Sequence, residues 1–124
     1  MDVTPIIPQG RQVIQSFRPG QFAVSGTAFD GPILVTPEQT IPWTDAAAGP
    51  LTTESFAPLQ PHLEVCEVLL IGMGPRFAML DPAIRQCLKN WGVVADAMST
   101  DAACRTYNVL LAEDRKVAAA LLPV

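Results

Sequence analysis

The fold of this chain is decided by residues 65–74, which read Val65-Cys66-Glu67-Val68-Leu69-Leu70-Ile71-Gly72-Met73-Gly74. All but one of the first seven residues are apolar, and glycine closes the run. A near-continuous apolar run of this length predicts a β-strand that is covered on both faces, as in parallel sheets flanked by helices. The stretch therefore predicts an α/β domain.

A helix is predicted after this strand. Asp81-Pro82 is typical of an N-cap followed by proline at the first helical position, and Gly92 lies where glycine commonly ends a helix. Apolar residues recur between them at helical spacing, at Ile84, Cys87, Leu88 and Trp91.

The rest of the chain predicts a strand, a helix and a strand. Residues 93–98 and 117–122 are the strands, and the helix between them runs to about Glu113. Its N-cap is one of three consecutive polar residues, Ser99, Thr100 or Asp101. The order from residue 65 is thus β-α-β-α-β, which predicts parallel pairing with right-handed crossovers.

The first half of the chain predicts short strands and turns. Nine of the 12 prolines lie in its first 61 residues, and proline prevents long helices there. Strands are predicted at residues 13–17, 22–24, 27–29 and 33–35, with a tight hairpin turn at Ser25-Gly26.

A loop is predicted at residues 36–50, followed by a short helix capped by Thr52 or Thr53. Phe56 and Leu59 are expected to face inward from that helix. Trp43 in the loop has two interpretations, an exposed anchor for a partner or a lid folded back over the core.

The bulk composition sets limits on function. The 124 residues fit one domain, 1–124, and 49% hydrophobic with 16% charged residues is typical of a folded chain. A net charge of −4 with eight scattered Lys and Arg residues argues against nucleic acid as a partner. Three widely spaced cysteines and a single histidine, His62, argue against a disulfide scaffold or a metal site.

No apolar run reaches the roughly 18–20 residues of a membrane span. Residues 1–5 lack the features of a signal peptide or a mitochondrial presequence. We therefore expect a cytoplasmic, bacterial protein without a transmembrane segment, a metal or a cofactor, present as a monomer or a weak homodimer.

Two stretches carry a resemblance to a known family. They are residues 69–74 and residues 98–121, the latter containing Arg105-Thr106-Tyr107-Asn108 and a Glu-x-Arg helix end. Together with residues 22–26, they resemble the family of small Mth-type domains that includes mitochondrial respiratory complex I assembly factor 3 and the adipogenesis-associated Mth-domain protein. Met73 and Asp114 depart from the family pattern, in which Thr and Gly are usual.

The resemblance implies a layered α/β fold with a central mixed sheet, helices packed on it and a small N-terminal β-hairpin layer. It also implies a role in membrane-protein or respiratory-complex biogenesis. The family has no agreed catalytic residues, so none is carried over to this chain.

The turn Gly72-Met73-Gly74 is the first candidate site. A glycine pair after a strand suggests dinucleotide binding, but Phe77 stands where the third glycine is required and Pro75 lacks an N–H. The alternative is a tight turn at which the backbone must approach a neighbouring element closely.

The second candidate site is the helix segment Arg105-Thr106-Tyr107-Asn108, which we expect beside the Gly72-Met73-Gly74 turn at the carboxyl edge of the sheet. Asp101, Arg105 and Asn108 share one helix face. In one interpretation these residues bind a ligand or partner. In the other, Arg105 pairs with Asp101 while Asn108 and Thr106 satisfy backbone groups.

Cys104 lies near the start of the same helix, beside Arg105. A helix N-terminus and a cation lower a thiol pKa, which favours a reactive nucleophile. The alternative is a small core residue, since no histidine is near in sequence. We interpret the chain as a non-catalytic binding or assembly module with a protein partner. The alternative is a small-ligand-binding protein or enzyme that uses the strand-end site near Gly72 and Arg105.

Overall fold

The computed structural model describes residues 10–47 and 49–124. Eight strands and three α-helices lie in this part of the chain, in the order β1 Ile14–Arg18, β2 Gln21–Val24, β3 Thr27–Asp30, β4 Ile33–Val35, β5 Thr40–Pro42, α1 Thr53–Phe56, β6 Val68–Gly72, α2 Pro82–Asn90, β7 Val94–Met98, α3 Thr100–Ala112 and β8 Val117–Leu121. Short 3-10 helices at Thr44–Ala46 and Ala57–His62 flank α1.

The main sheet has five strands in the order β5-β4-β8-β6-β7. β6 pairs in parallel with β7 and β8, whereas β4 is antiparallel to both β8 and β5. The predicted β-α-β-α-β unit and the mixed sheet are therefore confirmed. The parallel strands place their carboxyl ends, with the turn at Gly72 and the start of α3, at one edge of the sheet.

The N-terminal layer is a three-stranded antiparallel sheet, β1-β2-β3. The turn between β2 and β3 has positive φ at Ser25 (46°) and Gly26 (88°), the conformation that matches the twist of a two-residue hairpin. This confirms the hairpin predicted at Ser25-Gly26.

β6 is covered on both faces, as its apolar run predicts. Leu69 and Ile71 pack in one core with α2 and Trp43, whereas Leu70 packs in a second core with α3 and the N-terminal sheet. All three leucine and isoleucine side chains are at most 1% exposed. The sheet therefore separates two hydrophobic cores.

The helix boundaries follow the predicted capping residues. The Asp81 carboxylate accepts a hydrogen bond from the Ala83 N–H at 2.9 Å, and Gly92 ends α2 with φ of 84°. Among the alternatives, Ser99 caps α3, because its hydroxyl accepts from the Ala102 N–H. Thr52 is the N-cap of α1, and both Phe56 and Leu59 are buried as predicted.

Two boundaries differ from the prediction. The loop predicted at residues 36–50 contains β5. The N–H and the hydroxyl of Thr36 both donate to the Gln39 carbonyl, and this turn lets β5 pair antiparallel with β4. Prolines obscured this strand, but proline is tolerated in an edge strand such as β5. The strand predicted from Val65 begins at Val68. The Cys66 N–H donates to the Leu63 carbonyl, which forms a turn before the strand, and Val65 in this turn is exposed.

Candidate functional site

The turn Gly72-Met73-Gly74 is fastened to the start of α3 by Thr100. The Thr100 N–H donates to the Gly74 carbonyl at 2.8 Å, and the Thr100 hydroxyl accepts from the Gly74 N–H at 2.9 Å. The same hydroxyl donates to the Leu122 carbonyl at 2.6 Å. One side chain thus connects the ends of β6 and β8 with α3.

Gly72 is required by this close approach. A Cβ at this position would lie 2.9 Å from Thr100 Oγ1 and 3.0 Å from Leu121 Cδ2. Met73 is half-buried against the core that contains Trp43. The interpretation of the turn as a site of close backbone approach is confirmed at Gly72.

The turn does not fit a dinucleotide phosphate. Such a site presents free backbone N–H groups at the start of a helix. The Met73 N–H already donates to the Met98 carbonyl at 2.8 Å, and the Gly74 N–H is bonded to Thr100. In a dinucleotide site the helix follows the glycine turn directly, whereas here the next helix, α2, begins only at Pro82.

Arg105 and Asp101 form the ion pair expected from their spacing. Arg105 Nε lies 2.8 Å from Asp101 Oδ1, and the two side chains are 51% and 44% exposed. An exposed pair of this kind contributes little to stability. The guanidinium therefore remains accessible at the surface of α3.

Tyr107 and Asn108 contact β1 rather than the Gly72-Met73-Gly74 turn. The Tyr107 hydroxyl donates to the Gln12 carbonyl at 2.9 Å, and burial raises the pKa of this phenol. The Asn108 carboxamide bonds to both backbone groups of Ile14. These contacts place the two residues on the side of α3 that packs on the N-terminal sheet, with Thr106 half-buried between them and Arg105.

The predicted position beside the turn is therefore wrong for Tyr107 and Asn108. α3 rises about 1.5 Å per residue, so Asn108 lies about 12 Å along the helix axis from Thr100. α3 runs away from the carboxyl edge because it returns the chain to the start of β8. The residue beside the turn is Thr100, which the sequence indicated only as a possible cap.

Burial protects the thiols of Cys104 and Cys66 from ionisation. Cys104 is fully buried, and burial raises its pKa to about 12, with a further increase from Asp101 that outweighs the lowering by Arg105. Burial also raises the pKa of Cys66 to about 11, and its thiol donates to the Val68 carbonyl at 2.9 Å. Cys104 is thus the small core residue of our second interpretation.

Trp43 is the lid of one core. It is 1% exposed, its indole N–H donates to the Ser55 carbonyl at 2.7 Å, and its ring lies 5.0 Å from the ring of Phe56. The alternative of an exposed anchor is wrong for this residue.

An exposed apolar loop follows the turn, and the sequence analysis missed it. In residues 75–79, which we name the apolar loop, Phe77 is 64% exposed and Met79 is 80% exposed. Leu80 is buried directly after them and holds the end of the loop to the core. The sequence signal was Phe77 itself, which we had considered only as a missing glycine.

A groove lies at the opposite edge of the sheet, where β6 and β8 begin. Its volume is about 450 Å³, and we name it the basic groove after its cations. The polar and titratable side chains that argue for a site there are Arg11, Gln39, His62, Cys66, Arg115 and Lys116. Sequence reasoning could not assemble it, because these residues come from five separate segments.

Residues 14–122 match a family described as a protein of unknown function (DUF498/DUF598). The chain belongs to this family. An uncharacterized protein of Rhodobacter capsulatus is 37% identical over 115 residues, which cover 93% of this chain and 87% of the relative. The protein named NADH dehydrogenase (ubiquinone) 1 alpha subcomplex assembly factor 3 in Danio rerio is 34% identical over 114 residues, covering 90% of this chain but only 64% of the relative.

Solved structures share the fold. A protein described as an outer membrane protein from Bartonella henselae superimposes with a TM-score of 0.82 at 37% identity, covering 93% of this chain and 97% of the other. A Bordetella pertussis protein described as a Mth938-like domain gives 0.79 at 28% identity, covering 99% and 92%. The resemblance to Mth-type domains is therefore confirmed. In the part of the chain that the structure describes, no helix is long and apolar enough to cross a membrane.

Proposed function

We propose that this chain is a non-catalytic binding module that assists the assembly of a membrane-bound respiratory complex, and that it captures a protein subunit through the apolar loop. Support at the family level comes from the relatives that are named as complex I assembly factors. Those proteins are longer than this chain, which spans 64% and 60% of the two in question. The observation that carries the proposal is the exposure of Phe77 and Met79.

The apolar loop has the chemistry of a protein-binding surface. Exposed apolar side chains that lie together mark interaction sites more often than single ones do, and aromatic, methionine and arginine residues are enriched at interfaces. Phe77 and Met79 lie within three residues of each other and next to exposed Arg76. The loop starts from Gly74, which is bonded to Thr100 in the first turn of α3. Asp101 lies in the same turn, and its partner Arg105 lies one turn further along the helix.

The chemical groups that are accessible at the carboxyl edge of the sheet favour binding over catalysis. The backbone amides of Met73 and Gly74 are bonded internally, and the nearby Cys104 thiol is buried and protonated at neutral pH. The accessible groups there include apolar side chains and arginines, which suit recognition. The alternative function, a small-ligand-binding protein or enzyme with its site at this edge, remains a prediction.

The test is affinity capture with the whole chain from its native cells at low detergent, followed by mass spectrometry. We compare the wild type with a Phe77→Ser/Met79→Ser double variant. The matched control is Val94→Thr, which removes an apolar side chain that is 67% exposed on β7, outside the loop. We expect the wild type and the control to retain a subunit of a membrane complex and the double variant to lose it.

Retention of that subunit by the double variant, with its fold intact by circular dichroism, would contradict the assignment of the apolar loop. Failure of the wild type to retain any membrane-complex subunit would contradict the assembly role itself.

A further inference from the structure

We infer that the basic groove is a binding site for a small anionic ligand, which it holds through a phosphate or carboxylate group. The site lies at the amino edge of the parallel strands, away from the apolar loop at the carboxyl edge. It is therefore independent of the proposed assembly role.

The groove concentrates positive charge in an acidic chain. Arg11, Arg115 and Lys116 line it, three of the eight Lys and Arg residues in a chain whose net charge is −4. Two carboxylates border the same groove, those of Glu38 and Asp114. Cations thus outnumber carboxylates here, whereas the whole chain has the opposite balance.

One of these carboxylates is already neutralised. Arg11 lies 3.1 Å from Asp114, and this contact and the Asp101–Arg105 contact are the two ion pairs within residues 10–47 and 49–124. Arg115 and Lys116 are both exposed and are members of neither pair. With Asp114 paired to Arg11, Glu38 is the sole remaining carboxylate among the described lining residues.

The backbone holds Arg115 and Lys116 in fixed positions. Asp114 adopts the left-handed conformation with φ of 59°, and the Asp114 and Arg115 N–H groups donate to the Leu111 and Leu110 carbonyls, which is a Schellman end for α3. The Lys116 carbonyl then accepts from two N–H groups at the start of β6, those of Glu67 and Val68. The backbone of such a site does not have to be ordered when it binds a ligand.

The facing side of the groove supplies a neutral donor. The Gln39 side-chain amide nitrogen lies 3.0 Å from His62 Nδ1. An amide nitrogen only donates, so Nδ1 accepts and the ring proton is on Nε2, which makes Nε2 a donor. Two cations and a neutral N–H donor are the groups that bind oxyanions. Cys66 adds no negative charge, because its raised pKa keeps it protonated.

The size of the groove indicates the size of the ligand. Its volume of about 450 Å³ falls within the range of roughly 300–1,000 Å³ that is typical of small-molecule sites. It is therefore large enough for a metabolite-sized molecule that carries an oxyanion group.

The experiment is a titration of the isotope-labelled chain by amide NMR at constant ionic strength with three separate probes: inorganic phosphate, succinate and the neutral succinamide. We expect saturable shifts of the amides of Thr36, Glu38, Gln39 and residues 115–118 with phosphate, with succinate or with both, and none with succinamide. The responding anion identifies whether the site prefers phosphate or carboxylate. Absence of saturable shifts with both anions, or an equal response to succinamide, would overturn the inference.

Matched arginine variants locate the binding. Arg115→Gln removes a charge from the groove, whereas Arg18→Gln removes the same charge from an exposed position at the end of β1. Loss of a charge-assisted hydrogen bond should weaken anion binding about tenfold in Arg115→Gln and leave Arg18→Gln unchanged. Lys116→Gln provides the same comparison if Arg115→Gln does not fold, and equal affinities for the wild type and the groove variant would reject the site.

Discussion

Asn108 on α3 bonds to both backbone groups of Ile14 on β1. Its Oδ1 accepts from the Ile14 N–H at 3.1 Å, and its Nδ2 donates to the Ile14 carbonyl at 2.7 Å. Both residues are at most 1% exposed, so water does not replace these bonds. A side-chain amide is suited to this role because it presents one donor and one acceptor in the spacing of a peptide group. The contact joins the N-terminal sheet to the helix layer.

Replacement of Asn108 by alanine should destabilise the fold. Ile14 would keep an unsatisfied buried N–H and carbonyl, which costs on the order of 1–3 kcal/mol in the free energy of unfolding. Urea unfolding of Asn108→Ala against the wild type measures this. The control is Asn90→Ala, because the Asn90 amide is exposed and bonds only to Gln86 within the described contacts. Equal stability of the two variants would show that the Ile14 contact does not join the layers.

Replacement of Gly72 by alanine should also be destabilising. The new Cβ would meet Thr100 and Leu121 at 2.9–3.0 Å, and overpacking of this kind costs about 1–3 kcal/mol. Gly26→Ala is the control, since its φ of 88° is strained for alanine but no atom lies within 4 Å of the added Cβ. Gly26→Ala thus reports the cost of backbone strain without a steric contact. We expect the Gly72 variant to lose stability relative to the wild type in thermal unfolding, and unchanged stability would contradict the close approach at Thr100.

The elements that could be predicted from the sequence are those in which local signals agree. The apolar run of β6, the Asp81-Pro82 start of α2 and the Ser25-Gly26 hairpin each combine pattern with turn chemistry, and each is present. β5 was missed because Pro42 within it argues against a strand in general, although an edge position tolerates proline.

The candidate site was less predictable, because it depends on distances between segments that sequence spacing does not give. The helix face of Arg105 and Asn108 was visible, but the partner of Asn108 is 94 residues away in sequence. The basic groove likewise forms only when β4, β6 and β8 align at the amino edge. To predict tertiary contacts of this kind, the strand order must be known, and the local patterns of a single sequence do not give it.

The thiol of Cys104 should make stability fall at high pH. Burial raises its pKa from 9.0 to about 12 in the folded chain, so the folded state keeps a proton that the unfolded state releases above pH 9. The stabilisation is complete below that pH and is lost as pH rises towards about 12, by up to about 1.4 kcal/mol per pH unit.

Urea unfolding at several pH values below and above 9 measures this loss. The serine of Cys104→Ser does not titrate in this pH range, so the free energy of unfolding of the variant should fall less steeply with pH than that of the wild type. The raised pKa of Tyr107 affects both proteins and therefore does not change the comparison. Identical slopes for the two proteins would contradict the raised pKa. Rapid reaction of Cys104 with a thiol reagent at neutral pH in the folded chain would contradict it as well.

Arg105 should act in recognition rather than in stability. Its pair with Asp101 is about half exposed, so Arg105→Ala should lower the free energy of unfolding by about 1 kcal/mol or less. In the capture assay, however, the variant should retain less of the membrane-complex subunit than the wild type, because exposed arginines commonly carry binding energy at protein interfaces. Arg18→Ala, which removes an exposed arginine at the end of β1, is the matched control for charge and should leave both properties unchanged. The opposite pattern, with strong destabilisation and undiminished capture, would assign Arg105 to the fold and leave the apolar loop as the recognition surface without it.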